Sequence, residues 1–556
     1  MEKDDEQAVV GQNRHRKSSD VLPDNIGNSP GSTASDLTRN ETNSAASTLQ
    51  QQNTLAQQPS LAQTVSRVPT ATKAPSFSVA HEIAFIAVIS SAQLMTQAAL
   101  AQSIAPLHVI GRSFNTTNPG QLSWLAAGYS LTVGTFILPA GRWGDLYGHK
   151  LLFILGYFWF ALWSLVAGLA VYSHSLVFFA FCRGMQGIGP AILLPNGVAI
   201  LTRTYPPGPR KNMVLSIFGA TAPSGFVIGA AFSGIFTQFV WWPWAYWVTA
   251  VVLAIIGVLA LFVIPRMPVE GPRATFKELD ATGTVVGVAG LIFFNFAWNQ
   301  GPAAGWEKVY VYVLLILGVI LLVIFFWHER FQASHPLVPM SLLTVDTNLV
   351  FGCESFGWMS FGIWVFYLWQ FLELERGHSI LLATAQLSPT CIAGCIAAIT
   401  TGFLIARIQS GWIMLISMSA FLTGNILLGT MPVRQTYWAQ TFVATLVTPW
   451  GMDMSFPSGN IVLSDHMPPE HQGLAASLIN TVINYSISIG LGMAGTVETH
   501  VNSGGSEPLQ GYRGAWYLAV GFDGLGIICA ICLILSVRAR TKAKEKAGNQ
   551  KEEVEA

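Results

Sequence analysis

The sequence predicts an all-α polytopic membrane protein with about fourteen transmembrane helices. Of its 556 residues, 51% are hydrophobic and only 10% are charged, whereas soluble domains carry roughly 25% charged residues. The apolar residues form blocks of about 20, the length that crosses a hydrocarbon core about 30 Å thick at 1.5 Å per helical residue. Lipid tolerates no open sheet edge and no alternating barrel pattern occurs, so each block is expected to be a helix.

The apolar blocks follow one another from about residue 81 and define the expected spans. They cover residues 83–105, 122–140, 151–171, 175–201, 213–235, 245–264, 281–299, 309–327, 348–371, 381–405, 412–431, 437–463, 473–495 and 516–537. Loops that contain Arg142, Arg203 and Arg330 are richer in Lys and Arg than the loops on the opposite side. The positive-inside bias therefore predicts that both termini face the cytoplasm.

The domain organisation follows from the order of the blocks. Residues 1–80 are rich in Ser, Gln, Asn, Thr and Pro, a composition typical of a disordered tail, here cytoplasmic. The spans then divide into a six-helix bundle at 81–265, two additional helices with linkers at 266–340, and a second six-helix bundle at 341–538. Residues 539–556 form a tail of mixed basic and acidic charge. All six cysteines fall inside apolar segments, which predicts packing roles rather than disulfides.

An internal repeat relates the fourth and twelfth spans. Residues 189–197 read GPAILLPNG and residues 451–459 read GMDMSFPSG, so that glycine, proline and glycine fall in register. Two helical halves related by a parallel repeat, with a substrate site near the midplane between them, are typical of secondary transporters.

The loop between the second and third spans reads GRWGDLYGHK over residues 141–150 and is here named the motif loop. Its glycines let two helix ends approach closely, Asp145 can lie against a helix N-terminus, and basic residues hold the loop on the cytoplasmic side. An ordinary tight turn is the alternative. The motif loop resembles the signature loop of the major facilitator superfamily, which in that family latches the two halves together in one state of alternating access. The resemblance assigns a conformational role to Gly141, Arg142, Gly144, Asp145, Gly148 and Lys150.

Arg183 opens the stretch RGMQGIGP in the fourth span. Placing an arginine in a span costs about 2.5–3.5 kcal/mol on insertion scales, which predicts a partner or a function. By resemblance this is the fourth-span arginine motif that the superfamily links to proton coupling. An arginine that extends toward the membrane surface is the alternative.

The fifth span reads GATAPSGFVIG over residues 219–229. Its glycines predict a small-residue face for close helix packing, and its proline predicts a kink. The stretch resembles the antiporter motif of drug-exporting members, with Ala222 in place of the usual glycine. Close packing alone is the alternative. The expected helix-packing residues are Gly219, Pro223, Gly225 and Gly229.

Further matches extend the resemblance to the fourteen-span drug:proton antiporter family over residues 81–537. They include WPWAYW at 242–247, Asp280 before the seventh span and HQGLAAS at 471–477. The runs MDMSFP at 452–457 and NYSISIGLG at 484–492 resemble most the fungal subgroup of aminotriazole-resistance, boron-efflux and low-affinity ammonium transporters.

One departure from the family pattern decides the expected proton carrier. Such antiporters usually carry an acid in the first span about nine residues before a proline, and here Pro106 places Gln97 at that position. A neutral amide cannot exchange a proton. Asp453 in the twelfth span is therefore the expected carrier, with Arg183 as its charged partner and Glu354 as the next candidate. Glu354 and Asp523 lie nearer span ends, where exposure to water is the alternative.

We therefore expect a secondary transporter that exports a small toxic compound, a drug or a secondary metabolite by proton antiport with alternating access. A proton-independent facilitator of a small solute such as ammonium or borate is the alternative. No histidine cluster suited to a metal and no nucleotide-binding loop occurs in the sequence, so we expect neither an enzyme nor a metal, cofactor or nucleic-acid partner. The expected partners are a small-molecule substrate, protons and membrane lipid.

The protein is expected to be a monomer in the cell membrane, with the vacuolar membrane as the alternative. The candidate residues of a substrate cavity are Gln97, Gln102, Gln186 and Trp450. Asn115 begins a glycosylation triplet in the outer loop after the first span.

Overall fold

The computed structural model describes residues 78–206, 208–265, 280–334, 336–405, 407–465, 472–502 and 506–555. The first 77 residues of the expected N-terminal tail lie outside these ranges, as do the loops at 266–279 and 466–471. Within the described ranges every regular element is a helix.

The α-helices of the described residues are numbered here in chain order. They are α1 (Val79–Ile104), α2 (Leu107–Ser113), α3 (Pro119–Tyr147), α4 (His149–Leu169), α5 (Leu176–Thr204), α6 (Pro209–Phe239), α7 (Pro243–Val263), α8 (Ala281–Ala304), α9 (Val309–Phe331), α10 (Val345–Gln370), α11 (Ile380–Leu387), α12 (Pro389–Ile405), α13 (Ser410–Gly429), α14 (Gln440–Asp465), α15 (Gln472–Val501) and α16 (Pro508–Glu555). Short turns of 3₁₀ helix follow α4 and precede α10, and α10 ends in a π-helical turn at Phe371–Glu375. Helix α16 continues through residues 539–555, which were expected to form a tail.

Thirteen of the described helical segments are long and apolar enough to cross a membrane. Helix α14, which corresponds to the twelfth expected span, is not among these thirteen: it has 26 residues, but it is less apolar and contains Pro449, Asp453 and Pro457. It packs against α10, α12 and α13. A helix surrounded by protein need not be apolar, because its polar groups meet other helices rather than lipid. The prediction of a polytopic helical membrane protein is confirmed.

The spans form two six-helix bundles with the same internal packing, plus two additional helices. In the first bundle α3 packs on α5, α1 packs on α6, and α4 packs on α5 and α7. In the second bundle the corresponding pairs are α12 with α14, α10 with α15, and α13 with α14 and α16. The recurrence of these pairs is what the repeat in the sequence predicts.

The two bundles meet along two seams. At the first seam α3 packs on α15, and at the second seam α6 packs on α11 and α12. The additional helix α8 lies against both α3 and α15, with α9 packed on its outer side. Hydrogen bonds join α15, α3 and α8. Ser488 Oγ on α15 lies 2.9 Å from Ala127 O on α3 and 2.7 Å from Asn295 Oδ1 on α8. The first seam is therefore backed by an additional helix.

Candidate functional site

Arg183 lies on α5 and is completely buried, with 0% of its surface exposed. Its guanidinium donates hydrogen bonds to two neighbouring helices. Nε donates to Leu125 O at 3.0 Å, and Nη2 donates to Ala99 O at 2.8 Å and to Ser103 Oγ at 3.1 Å. The side chain therefore ties α5 to α1 and α3 inside the first bundle and does not extend toward the membrane surface.

The charge of Arg183 is further stabilised by an amide and two aromatic rings. Nη1 donates to Gln186 Oε1, and Gln186 Nε2 donates in turn to Ser164 Oγ at 2.7 Å. The guanidinium carbon lies 4.6 Å from the ring centroid of Tyr129 and 5.9 Å from that of Tyr246. Among the described residues no carboxylate pairs with Arg183, so peptide dipoles and π faces take the place of a counter-ion.

Asp453 lies on α14 at the second seam. A Cβ placed on Gly394 of α12 would lie 2.5 Å from Asp453 Oδ2 and 3.2 Å from Cβ of Pro223 on α6. The Oδ2 atom is buried and has no hydrogen-bond partner among the described residues. A charged carboxylate in such a place carries a desolvation penalty that a neutral carboxylic acid largely avoids. The structure thus brings Asp453 and Pro223, two of the predicted residues, to the same point between the bundles.

Arg183 and Asp453 do not form the predicted charged pair. All hydrogen bonds of the Arg183 side chain stay within the first bundle, whereas Asp453 lies against Gly394 and Pro223. The expectation rested on the repeat that relates α5 to α14. Repeat-related helices occupy equivalent places in separate bundles, which does not require their side chains to meet.

Glu354 and Asp523 are both fully buried, so exposure to water is the wrong interpretation for them. Glu354 Oε2 accepts a hydrogen bond from Trp358 Nε1 at 2.9 Å, and its Oε1 would lie 2.6 Å from a Cβ on Gly459 of α14. Asp523 Oδ2 accepts from Asn425 Nδ2 at 2.8 Å. Both carboxyl groups therefore lie between helices of the second bundle, whereas Asp453 lies at the second seam, close to the first bundle.

Glu498 is among the buried acids that the sequence reasoning missed. Glu498 is 1% exposed and accepts a hydrogen bond from Tyr367 Oη at 2.9 Å. The predicted thirteenth span ended at residue 495, whereas α15 continues to Val501. The apolar residues Val497 and Val501 at helical spacing were the signal that could have extended the span.

Two of the four predicted cavity residues are buried in packed protein. Gln102 is 2% exposed and donates from Nε2 to Thr249 Oγ1 at 3.2 Å, and Gln186 bridges Arg183 and Ser164 as described above. Both amides therefore support packing within the first bundle in this structure. Gln97 on α1 is partly exposed, and its role stays a prediction.

Trp450 and Asn115 lie apart from these contacts. Trp450 packs against the cluster of Ala397, Ile413 and Met454 in the second bundle. Asn115 is exposed in the turn between α2 and α3, with a φ of 55°. An exposed loop is where a glycosylation acceptor must lie, and the modification itself stays a prediction.

The glycines of the motif loop allow a tight connection between α3 and α4. Gly148 alone separates the two helices and has a φ of 96°, a backbone conformation that favours glycine. A Cβ on Gly144 would lie 1.9 Å from Asn196 Oδ1, which itself lies 2.8 Å from His149 Nδ1. These glycines therefore let the connection close onto α5.

Asp145 pairs with cations of its own bundle. Its Oδ1 lies 3.0 Å from Arg203 Nη2 in the last turn of α5 and 3.3 Å from His149 Nε2. His149 is the first residue of α4, so Asp145 lies beside the start of that helix as well as beside Arg203. Lys150 Nζ donates to Leu261 O at 2.8 Å and to Ile264 O at 2.5 Å, which are carbonyls at the C-terminal end of α7.

Two other residues of the motif loop reach beyond the first bundle. A Cβ on Gly141 would lie 3.2 Å from Ser477 Oγ on α15. Arg142 Nη2 donates to Pro336 O at 3.0 Å, in the linker that leads from α9 to α10. The motif loop therefore contacts both the second bundle and the linker between the two halves.

The glycine face of α6 packs on the backbone of α1. A Cβ on Gly225 would lie 2.2 Å from Leu94 O, and one on Gly229 would lie 2.3 Å from Ala98 O. No side chain fits at either position, as the small-residue pattern predicts. Gly219 is different, because nothing lies within 4 Å of a Cβ at that position. The packing interpretation is therefore wrong for Gly219.

A cavity of about 370 Å³ lies between α3 and α8 and is lined by apolar residues that include Phe136, Trp143, Val288 and Phe293. None of the predicted coupling residues lines it. We place no substrate in this cavity, since it offers no polar group to orient one.

Comparison with protein-family models matches the chain to the family described as Major Facilitator Superfamily, over residues 84–491 and 347–555. The low affinity ammonium transporter of Saccharomyces cerevisiae is 55% identical over 84% of this chain and 91% of its own length. An efflux pump of Aspergillus terreus is 49% identical over 85% of this chain and 92% of its own length.

A third relative and one solved structure complete the comparison. The aminotriazole resistance protein of Saccharomyces cerevisiae is 39% identical over 83% of this chain and 86% of its own length. The crystal structure of an auto-inhibited POT family peptide transporter superposes with a TM-score of 0.57 over 82% of this chain and 96% of that chain. At 15% sequence identity this likeness shows a shared fold.

Proposed function

Because the chain belongs to the major facilitator superfamily of transporters, we propose that it exports a small molecule in exchange for protons and that Asp453 is the residue that takes up the proton. The observation that carries this proposal is the place of the Asp453 carboxyl group. Its Oδ2 is buried beside Gly394 of α12, at the point where Pro223 of α6 also approaches that glycine, and has no hydrogen-bond partner among the described residues.

The coupling follows from the cost of a charge at the second seam. With α6 and α12 in contact, a neutral Asp453 is tolerated and an ionised one is not. Loss of the proton would favour a state in which the seam opens and water reaches the carboxylate. A ligand that binds two conformations with different affinity shifts the balance between them, and here the proton is that ligand.

Arg183 has a different part in the proposed cycle. Its charge is permanent and every guanidinium nitrogen is engaged within the first bundle. It therefore holds α1, α3 and α5 together as a rigid unit against which the seam at Asp453 opens and closes. Loss of this unit would stop transport without changing the proton carrier.

The runner-up is a facilitator that moves a small solute such as ammonium or borate without protons. It is favoured by Gln97, which replaces the acid usual in the first span. The similarity to the low affinity ammonium transporter supports the same alternative. Both proposals place the two termini in the cytoplasm and a monomer in the cell membrane.

Reconstituted vesicles distinguish the two proposals. Purified protein in liposomes is given ammonium, aminotriazole and a panel of toxic compounds as probes, with and without an imposed pH gradient. Antiport predicts that a transported probe accumulates against its own concentration gradient when a pH gradient is present. It also predicts that this accumulation stops when an ionophore removes the pH gradient. Transport that ignores the pH gradient would overturn antiport and support the facilitator.

A further inference from the structure

Three titratable side chains meet at the ends of the two additional helices, away from Arg183 and Asp453. Asp280 precedes α8, while His328 and Glu329 lie in the last turn of α9. The side chains of Asp280 and His328 are 8% and 15% exposed, and Glu329 is 4% exposed. His328 Nε2 lies 2.8 Å from Asp280 Oδ1. The sequence had singled out Asp280 as a family match without assigning it a role.

Two carboxyl oxygens of this cluster face each other across Gly283. A Cβ on Gly283 would lie 2.1 Å from Asp280 Oδ2 and 2.7 Å from Glu329 Oε1. Neither oxygen has a hydrogen-bond donor among the described residues. Two acceptors that face each other are both satisfied when one proton lies between them, and they repel when that proton is lost. Gly283 is required because any side chain would separate the two carboxyl groups.

The pKa of Asp280 shows which carboxyl group is ionised. Desolvation by burial raises it, but the hydrogen bonds from His328 and the Gly283 N–H and the neighbouring Glu329 side chain outweigh burial and hold the pKa of Asp280 below its usual value. The lowered pKa favours Asp280 as the carboxylate of the pair, which leaves Glu329 as the group that carries a shared proton in the proposal below.

The cluster holds the linker that leads into the second bundle. The backbone N–H of Val338 donates to Glu329 Oε2 at 2.9 Å, and Arg142 of the motif loop donates to Pro336 O at 3.0 Å. Leu337, between these two anchors, is 4% exposed. The same short segment is thus fixed on one side by the additional helices and on the other by the motif loop.

We propose that Asp280, His328 and Glu329 form a proton-binding latch that docks residues 336–338 against the motif loop and releases them when the shared proton is lost. With the proton in place, Glu329 bonds to Asp280 through one oxygen and to Val338 through the other. Without it, two carboxylates face each other and Glu329 turns away, breaking the bond to Val338. The linker would then be free to let the second bundle move relative to the motif loop.

Few other charges face this cluster from the elements packed around it. Arg142 on α3 is directed to Pro336 O. Arg330, the next residue on α9, is exposed and its guanidinium carbon lies 5.4 Å from the ring centroid of Phe331. Gln332 is uncharged and lies 3.2 Å from His328 Nδ1. His335 and residues 266–279 lie outside the described residues, so the test below uses a His335→Gln background.

Hydrogen–deuterium exchange of the full-length protein in lipid nanodiscs tests the latch. Protection of the peptide that covers residues 337–344, corrected for intrinsic exchange, is followed from pH 5.5 to pH 8.5. We expect protection to fall with rising pH, by up to about tenfold per pH unit in the range where one proton is lost. Protection that stays constant or rises with pH would overturn the proposal.

Three variants sharpen the result. Glu329→Gln keeps a donor toward Asp280 and an acceptor for Val338, so the linker should stay protected at every pH. Gly283→Ala should separate the carboxyl groups and leave the linker unprotected at every pH, with unchanged protection in α10 as the control for folding. Arg330→Gln, an exposed charge change at the next position, should keep the response of the parent protein. A pH response that persists in Glu329→Gln would contradict the latch.

Discussion

Helices α5 and α14 are related by the internal repeat, yet the ionisable side chain on α5 is fully hydrogen-bonded and the one on α14 is not. Arg183 on α5 engages every nitrogen of its guanidinium through peptide carbonyls, a hydroxyl group and an amide. Asp453 on α14 leaves a buried oxygen without a hydrogen-bond partner among the described residues. The first arrangement stabilises a permanent charge, and the second favours a charge that can be removed.

This difference separates a fixed part of the molecule from a switchable one. An arginine stays protonated at any physiological pH, so hydrogen bonds to it serve rigidity. A carboxyl group gains or loses its charge with one proton, and the conformation that excludes water favours the neutral form. In the proposed cycle the first bundle therefore supplies the rigid frame, and the second supplies the residue that responds to protons.

The largest effect is expected from Arg183→Ala. It removes the donors for Ala99 O and Leu125 O, and a buried group left without its partner costs about 1–3 kcal/mol. We expect transport to be lost altogether, as measured by probe export from vesicles, with reduced thermal stability. Arg183→Lys should restore little, because a lysine cannot reproduce the fork of the guanidinium.

The matched control for Arg183 is Arg407→Ala, since Arg407 is exposed in the loop after α12. This variant should export at the normal rate. Normal export by Arg183→Ala would show that transport does not require Arg183 to hold α1, α3 and α5 together. The proposed difference in role between α5 and α14 would then be wrong.

A smaller effect is expected from Gly394→Ala at the second seam. The added methyl group would lie 2.5 Å from Asp453 Oδ2 and 3.2 Å from Pro223. Overpacking a contact costs typically about 1–3 kcal/mol, and if this cost falls on the step that closes the seam, the export rate should be about 5- to 150-fold lower. Gly402→Ala on the same helix is the matched control, because nothing lies within 4 Å of its Cβ. Equal export by the two variants would show that the seam does not gate transport.

The smallest effect is expected from Asp145→Ala in the motif loop. Its ion pair with Arg203 is half exposed, and such pairs contribute only about 0.2–1 kcal/mol to stability. We therefore expect normal surface expression and a transport rate a few times lower, measured per molecule at the surface. Arg203→Ala should match it, and the double variant should be no worse than either single variant. An unaltered transport rate in Asp145→Ala would show that the motif loop serves only as a tight turn.

The sequence predicted the spans well because lipid imposes a length and a polarity that a single chain must meet. An apolar block at 437–463 was also predicted to be a helix, and α14 (Gln440–Asp465) forms there despite its polar residues. Gly148 was correctly assigned to a tight turn, since a connection of one residue requires an unusual backbone. These features depend on residues close together in the chain.

The side-chain partners were not predictable in the same way. The supposed pair of Arg183 and Asp453 was wrong because the choice of partner depends on how whole helices pack, and no local pattern records it. Glu329 escaped notice because the predicted eighth span ended at residue 327, and its partner Asp280 lies nearly fifty residues earlier. Interactions across a seam or between distant helix ends can therefore be identified only from the three-dimensional structure.

Asp453 is the residue proposed to carry the exchanged proton. This proposal is tested by proton-driven export by Asp453→Asn in vesicles, beside Asp523→Asn, which neutralises a fully buried acid that accepts a hydrogen bond from Asn425 within the second bundle. We expect Asp453→Asn to bind the probe normally and to lose its response to the pH gradient, while Asp523→Asn keeps that response. If Asp453→Asn exports at the normal rate and still responds to the gradient, the claim is wrong and Glu354 becomes the next candidate.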